Sequence, residues 1–181
     1  MTMSYVDIQT IHEQIQVHHQ RCDLARKKLA DFKYPEGPWM TEPDRVEFKH
    51  AGFNCLLLRS ANTFSWCGYV GIEKDHPYRG RKNDDYSYGE LEVHGGVTYF
   101  EPCRGAICHI PKPGEADHLT WIGFDCAHFM DLMPLAEAFL NDIPGFPRSS
   151  QISEDYRHYR TLQFVKSETE SLAEQLKAMV G

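Results

Sequence analysis

Positions Ile8, Ile11, Ile15, His18, Cys22, Ala25 and Leu29 follow one another in alternating steps of three and four, almost all of them apolar. That spacing lays a single stripe along a helix, so an amphipathic N-terminal helix is predicted over residues 1–33. His12 and His19 fall off the stripe and read as solvent-facing or partner-facing rather than as metal ligands. Tyr34-Pro35-Glu36-Gly37-Pro38 and then Pro43 end the helix and predict a linker or strap, because proline lacks an N–H and pushes the residue before it towards extended structure. From residue 45 onward the rhythm shortens: 45–49, 53–59, 64–72, 89–100 and 119–126 read as strands separated by Gly, Asn and Pro. No helix-length pattern lies between them, which leaves parallel crossovers without material and predicts an antiparallel meander, as a sheet or a curled half-barrel. A short helix is expected at 135–141, a Pro/Gly turn at 143–147, and a last helix on the stripe Val165, Thr169, Leu172, Leu176 and Met179, with Glu168, Glu170, Glu174 and Lys177 outside it. This last helix is expected to pack on the sheet or on the first helix rather than to serve as a dimer element. The fold class is therefore α+β, with a central antiparallel β-sheet or half-barrel and amphipathic helices at both ends. The expected layout is a single domain over 1–181, with the N-terminal helix at 1–33, the β core at 45–128 and a C-terminal helical region at 135–181.

Composition narrows the partners. A chain of 181 residues fits one domain, and 19 basic against 26 acidic residues leave a net charge of −7, which argues against bulk nucleic acid or an anionic membrane as the partner. No apolar stretch approaches the roughly 20 residues of a spanning helix, and no basic segment with an apolar run opens the chain, so a cytoplasmic protein is expected. The cysteines, at 22, 55, 67, 103, 108 and 126, form no Cys-x-x-Cys pair and no regular framework. They are expected to be reduced, with Cys55, Cys67 and Cys126 acting as small core hydrophobes. Cys103, Cys108 and His109 resemble half of a zinc ribbon without its second half, and His109 reads as a loop residue.

Three stretches carry candidate chemistry. In a strand spanning 89–98, Glu90, Glu92 and His94 would share one face and Leu91 and Val93 the other, while Gly95-Gly96 would permit a bulge or a close backbone approach. Trp121 to His128 runs from an apolar strand to a polar end bearing Asp125 and His128. If these strands are neighbours, Glu92, His94, Asp125 and His128 form a metal site of carboxylate and imidazole donors suited to Mg²⁺, Mn²⁺ or Zn²⁺, which Asp131 could join from beyond the strand. A half-solvated sheet face has the same alternation and is the preferred reading for Glu90 alone. The third stretch, residues 74–82, collects His76, Tyr78, Arg79 and Arg81 in an otherwise acidic chain. Its arginines offer planar forks for an anion and its tyrosine a stacking face, whereas Lys74 and Lys82 read as surface charges opposite Asp84 and Asp85. Walker, Gly-x-Ser-x-Gly, His-Glu-x-x-His and Pro-Cys-x-x-Cys signatures are missing, which removes support for the standard ATPase, serine hydrolase, zinc protease and base deaminase assignments.

Gly68-Tyr69-Val70-Gly71 with Asp75-His76-Pro77, the run Glu92-Val93-His94-Gly95-Gly96-Val97-Thr98 and the run Gly123-Phe124-Asp125-Cys126-Ala127-His128 resemble a family of small, mostly uncharacterised bacteriophage and prophage proteins. Tyr159-Arg160, Phe164-Val165 and residues 171–176 resemble that family's closing helix, so the likeness covers 64–131 and the chain's end but not its first forty residues. The resemblance implies a phage accessory protein in a host bacterial cytoplasm that modifies or captures host metabolites or nucleotide immune signals; it transfers no activity. Joined to the residues, it leads to an expected metal-dependent hydrolase of a nucleotide-like phosphodiester, a cyclic dinucleotide messenger being one such substrate. His94, His128 and Asp125 would be catalytic, and Arg79 and Arg81, with Tyr78 and His76, would bind the anionic ligand. Two alternatives stand beside it: a module that captures the ligand without converting it, in a pocket that two subunits of a homo-oligomer would share, and an inhibitor that blocks a host protein with its terminal helices.

Overall fold

The computed structural model describes residues 8–80, 90–113, 118–145 and 157–180. Its helices are α1 (Ile8–Asp31), α2 (Pro134–Asn141) and α3 (Leu162–Ala178), and its strands β1 (Arg45–His50), β2 (Phe53–Arg59), β3 (Trp66–Ile72), β4 (Tyr99–Pro102) and β5 (Thr120–Asp125). The α1 stripe buries Ile11, Cys22, Ala25 and Leu29. The helix then closes as its backbone turns left-handed at Lys33 (φ 52°), which lets the Tyr34 N–H reach back to the Leu29 carbonyl at 3.0 Å.

The strands form one open antiparallel sheet in the order β1-β2-β3-β5-β4. The meander predicted from the pattern holds from β1 to β3; β5 then inserts between β3 and β4. Both faces of β2 are covered, which explains its unbroken apolar run. Cys55 and Leu57 join Trp66, Val70, Ile122 and Phe124 beneath α3, while Leu56 and Leu58 join Tyr69, Leu119 and Trp121 on the other face. Val165, Leu172, Ala173 and Leu176 of α3 complete the first of these layers. The helix sits close to β3 because Gly68 has no side chain, and a Cβ there would overlap the Thr169 hydroxyl and the Phe124 ring. Thr169 keeps its place in the buried stripe by donating its hydroxyl to the Val165 carbonyl at 2.8 Å.

Two expectations change. The strand predicted over 89–100 shrinks to β4, and residues 90–98 run irregularly beside α3. The cause is where their backbone hydrogen bonds go. Gln175 of α3 accepts from the Glu92 N–H (2.7 Å) and donates to the Glu92 carbonyl (2.8 Å), so one side-chain amide does the work of a neighbouring strand. Glu168 accepts from the His94 N–H at 2.8 Å, and Gly95 and Gly96 (φ +69° and +84°) turn the chain with a bond from the Gly96 N–H to Val93.

The second change concerns the thiols. Cys22, Cys55 and Cys126 are free and buried as expected, and burial pushes the thiols of Cys22 and Cys55, together with that of Cys67, up to about 12. Cys103 and Cys108, however, form a disulfide with a Cα–Cα distance of 4.9 Å. Between them Arg104 and Ile107 exchange both backbone hydrogen bonds, so the turn itself brings the two sulfurs together. Alkylation of the unfolded, unreduced protein is expected to label four cysteines, and all six after reduction, counted by mass spectrometry. Because the closed loop is short, the Cys103→Ser and Cys108→Ser double variant should lose only about 2 kcal/mol.

Candidate functional site

The end of β5 is shaped before it is functional. The Asp125 carboxylate accepts from the Ala127 N–H (3.0 Å) and from the Thr98 hydroxyl (2.8 Å), and the Cys126 N–H bonds to the Trp66 carbonyl. The chain then makes a tight turn from His128 to Asp131, closed by the Asp131 N–H on the His128 carbonyl at 2.9 Å. A short bridge to His158 holds the far side of this turn and fixes Asp131 against the segment leading into α3.

The Asp131 side chain is fully buried, and four donor groups converge on it. His94 Nε2 lies 2.8 and 3.0 Å from its two oxygens, the His128 N–H 3.0 Å, His128 Nδ1 3.3 Å and Arg160 Nε 2.8 Å. Burial alone would raise the Asp131 pKa; the bonds from His94, Arg160 and the His128 N–H outweigh it and hold the carboxyl below its ordinary range. Phe164, in the first turn of α3, walls the site, with the His94 ring edge-on to it at 5.4 Å and the Arg160 guanidinium over it at 4.9 Å. The two imidazoles stand nearly perpendicular at 5.3 Å. The His128 side chain stays 35% exposed and that of His94 18%, so a ligand can reach the imidazoles although the carboxylate is sealed.

One donor atom each from His94, His128 and Asp131 lie within 4.8 Å of one another, and among the described residues they are the one such group of three. Metal–ligand bonds of about 2.0–2.2 Å place tetrahedral donors roughly 3.3–3.6 Å apart, so the carboxylate–imidazole distances of 2.8–3.3 Å would open by a few tenths of an ångström around an ion. Two imidazoles and one carboxylate form a set that binds divalent Zn, Mn or Fe with open positions. The same Asp–His contacts can also hold an imidazole tautomer for proton transfer.

Gly95 is part of this geometry. A Cβ there would overlap the His128 ring, and the φ of +69° already disfavours any side chain. Gly95→Ala is expected to displace His128 and weaken metal binding by about tenfold or more, while far-ultraviolet circular dichroism stays unchanged. Isothermal titration with Mn²⁺ or Zn²⁺ measures it.

The other residues singled out from the sequence lie elsewhere. Asp125 is not in the three-donor group, and both its oxygens are engaged in shaping the turn. Glu92 is exposed and is tied by its backbone, so its carboxylate does not join either. His76 is buried at the opposite end of α3, with Nε2 donating to the Leu176 carbonyl (3.1 Å) and Nδ1 accepting from the Tyr78 N–H (3.2 Å). Twelve residues of helix separate Leu176 from Phe164, roughly 18 Å at 1.5 Å per residue, so His76 lies far from the two histidines. Tyr78 is a core side chain packed edge-on to Phe100 at 5.7 Å and offers no open stacking face. Arg79 is half-buried in the same turn, and Arg81 lies outside the described residues.

What the sequence reading missed was Arg160, Phe164 and Glu168, which lie more than 60 residues beyond His94 in the chain and announce themselves only through contact with it. His-x-x-Asp at 128–131 was the available local signal for Asp131, since three residues is the span of one turn. A concavity of about 240 Å³ opens where His76 sits and is lined by Phe53, Asn54, Glu73, Asp75 and Lys177 among others. Comparison with protein-family models, with curated proteins and with solved structures gave no match.

Proposed function

We propose that the protein is a divalent-metal-dependent hydrolase of a small phosphorylated, nucleotide-like ester, with His94, His128 and Asp131 as the metal-holding residues. The observation that carries this is the approach of two imidazoles to one buried carboxylate, a donor atom from each of the three lying within 4.8 Å of the others and the imidazole side remaining open. Charge supports an anionic substrate. Two neutral imidazoles and one carboxylate leave a divalent ion with net positive charge, and Arg160 on the same carboxylate adds to it. An acidic chain thus gains a local anion site without the arginines of residues 74–82.

A divalent ion held there would supply Lewis acidity, polarising a phosphoryl oxygen and lowering the pKa of a bound water towards neutrality. The chain's own residues do the rest. Arg160 holds the Asp131 oxygen Oδ1, which keeps Oδ2 turned to His128, and Phe164 fixes the tilt of His94. The expected setting, a phage accessory protein in a host cytoplasm acting on a cyclic nucleotide signal, belongs to this proposal. Among the described residues no helix is long and apolar enough to cross a membrane. A reducing cytoplasm would keep Cys103 and Cys108 as thiols, so finding them bridged immediately after lysis under acid-quenched conditions would count against that setting.

The test is elemental analysis together with hydrolysis of bis(p-nitrophenyl) phosphate and a nucleotide panel, with and without EDTA. One equivalent of metal that His94→Ala removes, with turnover that EDTA stops, is the expected result. Metal-free protein with EDTA-insensitive turnover would overturn it. The capture alternative draws on the cleft beside His76, where Lys177 offers one cation with Glu73 and Asp75 set beside it. Intact nucleotide recovered from a chelator-insensitive complex would favour it.

A further inference from the structure

We infer that Phe129 is a platform on which a flat ring of the substrate stacks, so that the ester handled at the His94, His128 and Asp131 site carries a nucleobase-like or aryl group; this rests on the hydrolytic reading of that site. The tight turn from His128 to Asp131 has a candidate ligand at each corner, and Phe129 and Met130 occupy its two central positions. Phe129 is therefore one peptide, about 3.8 Å from Cα to Cα, away from His128. It is 83% exposed, the most exposed large hydrophobic residue among those described, and Met130 is 42% exposed. Turn centres ordinarily take Gly, Asn, Asp or Ser, which make the turn without placing an apolar ring in water. At 83% exposure the Phe129 ring contributes little to the buried core.

At 83% exposure a side chain of ~200 Å² offers about 170 Å² to solvent, faces and edge together. One open ring face is what a stacked nucleobase needs, and stacking on an aromatic side chain tolerates any base because every base has a π-face. The division of labour follows: the positive centre between the imidazoles takes the phosphoryl group, and the ring at the turn takes the flat group attached to it.

The experiment uses the full chain, with and without Mn²⁺, and three probes: adenosine 5′-monophosphate, ribose 5-phosphate and inorganic phosphate, measured by isothermal titration. The nucleotide is expected to bind about tenfold or more tightly than ribose 5-phosphate. Phe129→Ala should erase that ratio while leaving ribose 5-phosphate affinity and metal content unchanged. Phe129→Trp should restore it and show indole emission quenched by the nucleotide and not by ribose 5-phosphate. A ratio that survives in Phe129→Ala, or no ratio in the wild type, overturns the inference. The two readings fail separately. Loss of metal binding with the ring preference intact sinks the hydrolytic reading and supports the platform, whereas intact metal-dependent turnover with no ring preference sinks the platform alone.

Discussion

Arg59→Met is expected to lower stability by roughly 3–5 kcal/mol, the cost of leaving buried carboxylates without their cation. In a chain of this size that is a fall in Tm of roughly 6–20 °C by differential scanning calorimetry. Arg59 is completely buried, the third-ranked side chain by volume among those fully enclosed. Its Nε reaches Asp44 Oδ1 and its Nη2 Glu42 Oε2, both at 3.1 Å, and Nη1 reaches the Tyr159 hydroxyl at 2.8 Å. The guanidinium also lies over the rings of Trp66 at 4.3 Å and Phe64 at 4.8 Å. The group is balanced: Arg26 also bonds Asp44, so two cations face two carboxylates. Methionine fills much of the space, so a loss close to the full range isolates the electrostatic part. A change below about 1 kcal/mol would show that Arg26, Tyr159 and Trp66 suffice for the two acids.

The same network explains why the strap is more than a linker. Glu42 Oε1 accepts from the Leu162 N–H (2.9 Å) at the start of α3, while Oε2 accepts from Trp66 Nε1 (3.0 Å) and the Tyr159 hydroxyl (2.6 Å). One strap carboxylate therefore joins β3 to the segment that carries Arg160 and Phe164 into the site. Burial works to raise its pKa, and the bonds from Tyr159, Leu162, Trp66 and Arg59 bring it below the ordinary value instead.

Asp131→Asn is expected to reduce metal affinity by more than about 100-fold, beyond the 10–100-fold typical of an outer partner, and to cost about 2–3 kcal/mol. The amide loses the charge and turns an NH₂ towards groups that are themselves donors, namely His94, His128 and Arg160. Asp125→Asn, in contrast, should leave metal affinity unchanged. The pH dependence has a definite sign. The Asp131 and Glu42 pKa values are both held down in the folded state, so the unfolded chain takes up protons first as pH falls. Their contribution is whole above the unfolded value of about 4 and is lost as pH drops through the lower folded value. Urea unfolding at pH 7 and at pH 3 should therefore show a smaller acid-induced loss in Asp131→Asn than in the wild type, with the Glu42 part of the slope remaining. An equal loss in both would remove Asp131 from the account.

Much of the architecture was legible because periodicity is a local property. The α1 stripe, the strands of β1 to β3, the apolar β5 and the Val165, Thr169, Leu172 and Leu176 face all follow from which residues must leave water together. Residues 90–98 defeated the same reasoning. Glu90 to His94 alternate as a strand would, yet their backbone groups are satisfied by Gln175 and Glu168, long polar side chains that sequence patterning assigns to a solvated helix face. The disulfide was missed for a related reason: spacing alone does not say that a turn brings Cys103 and Cys108 to 4.9 Å.

Sequence alone determined the class of the fold, its helical ends, its antiparallel centre and the two histidines worth watching, since burial periods of 3.6 and 2 are written in consecutive residues. Only the tertiary structure decided which carboxylate those histidines meet. Asp125 and Asp131 are six positions apart and equally acidic as text, but one spends its oxygens on a turn and a threonine while the other is sealed beneath two imidazoles and an arginine. That choice rests on α3 carrying Phe164 and Glu168 against a loop some seventy residues earlier, and contact energies of that kind have no period to read.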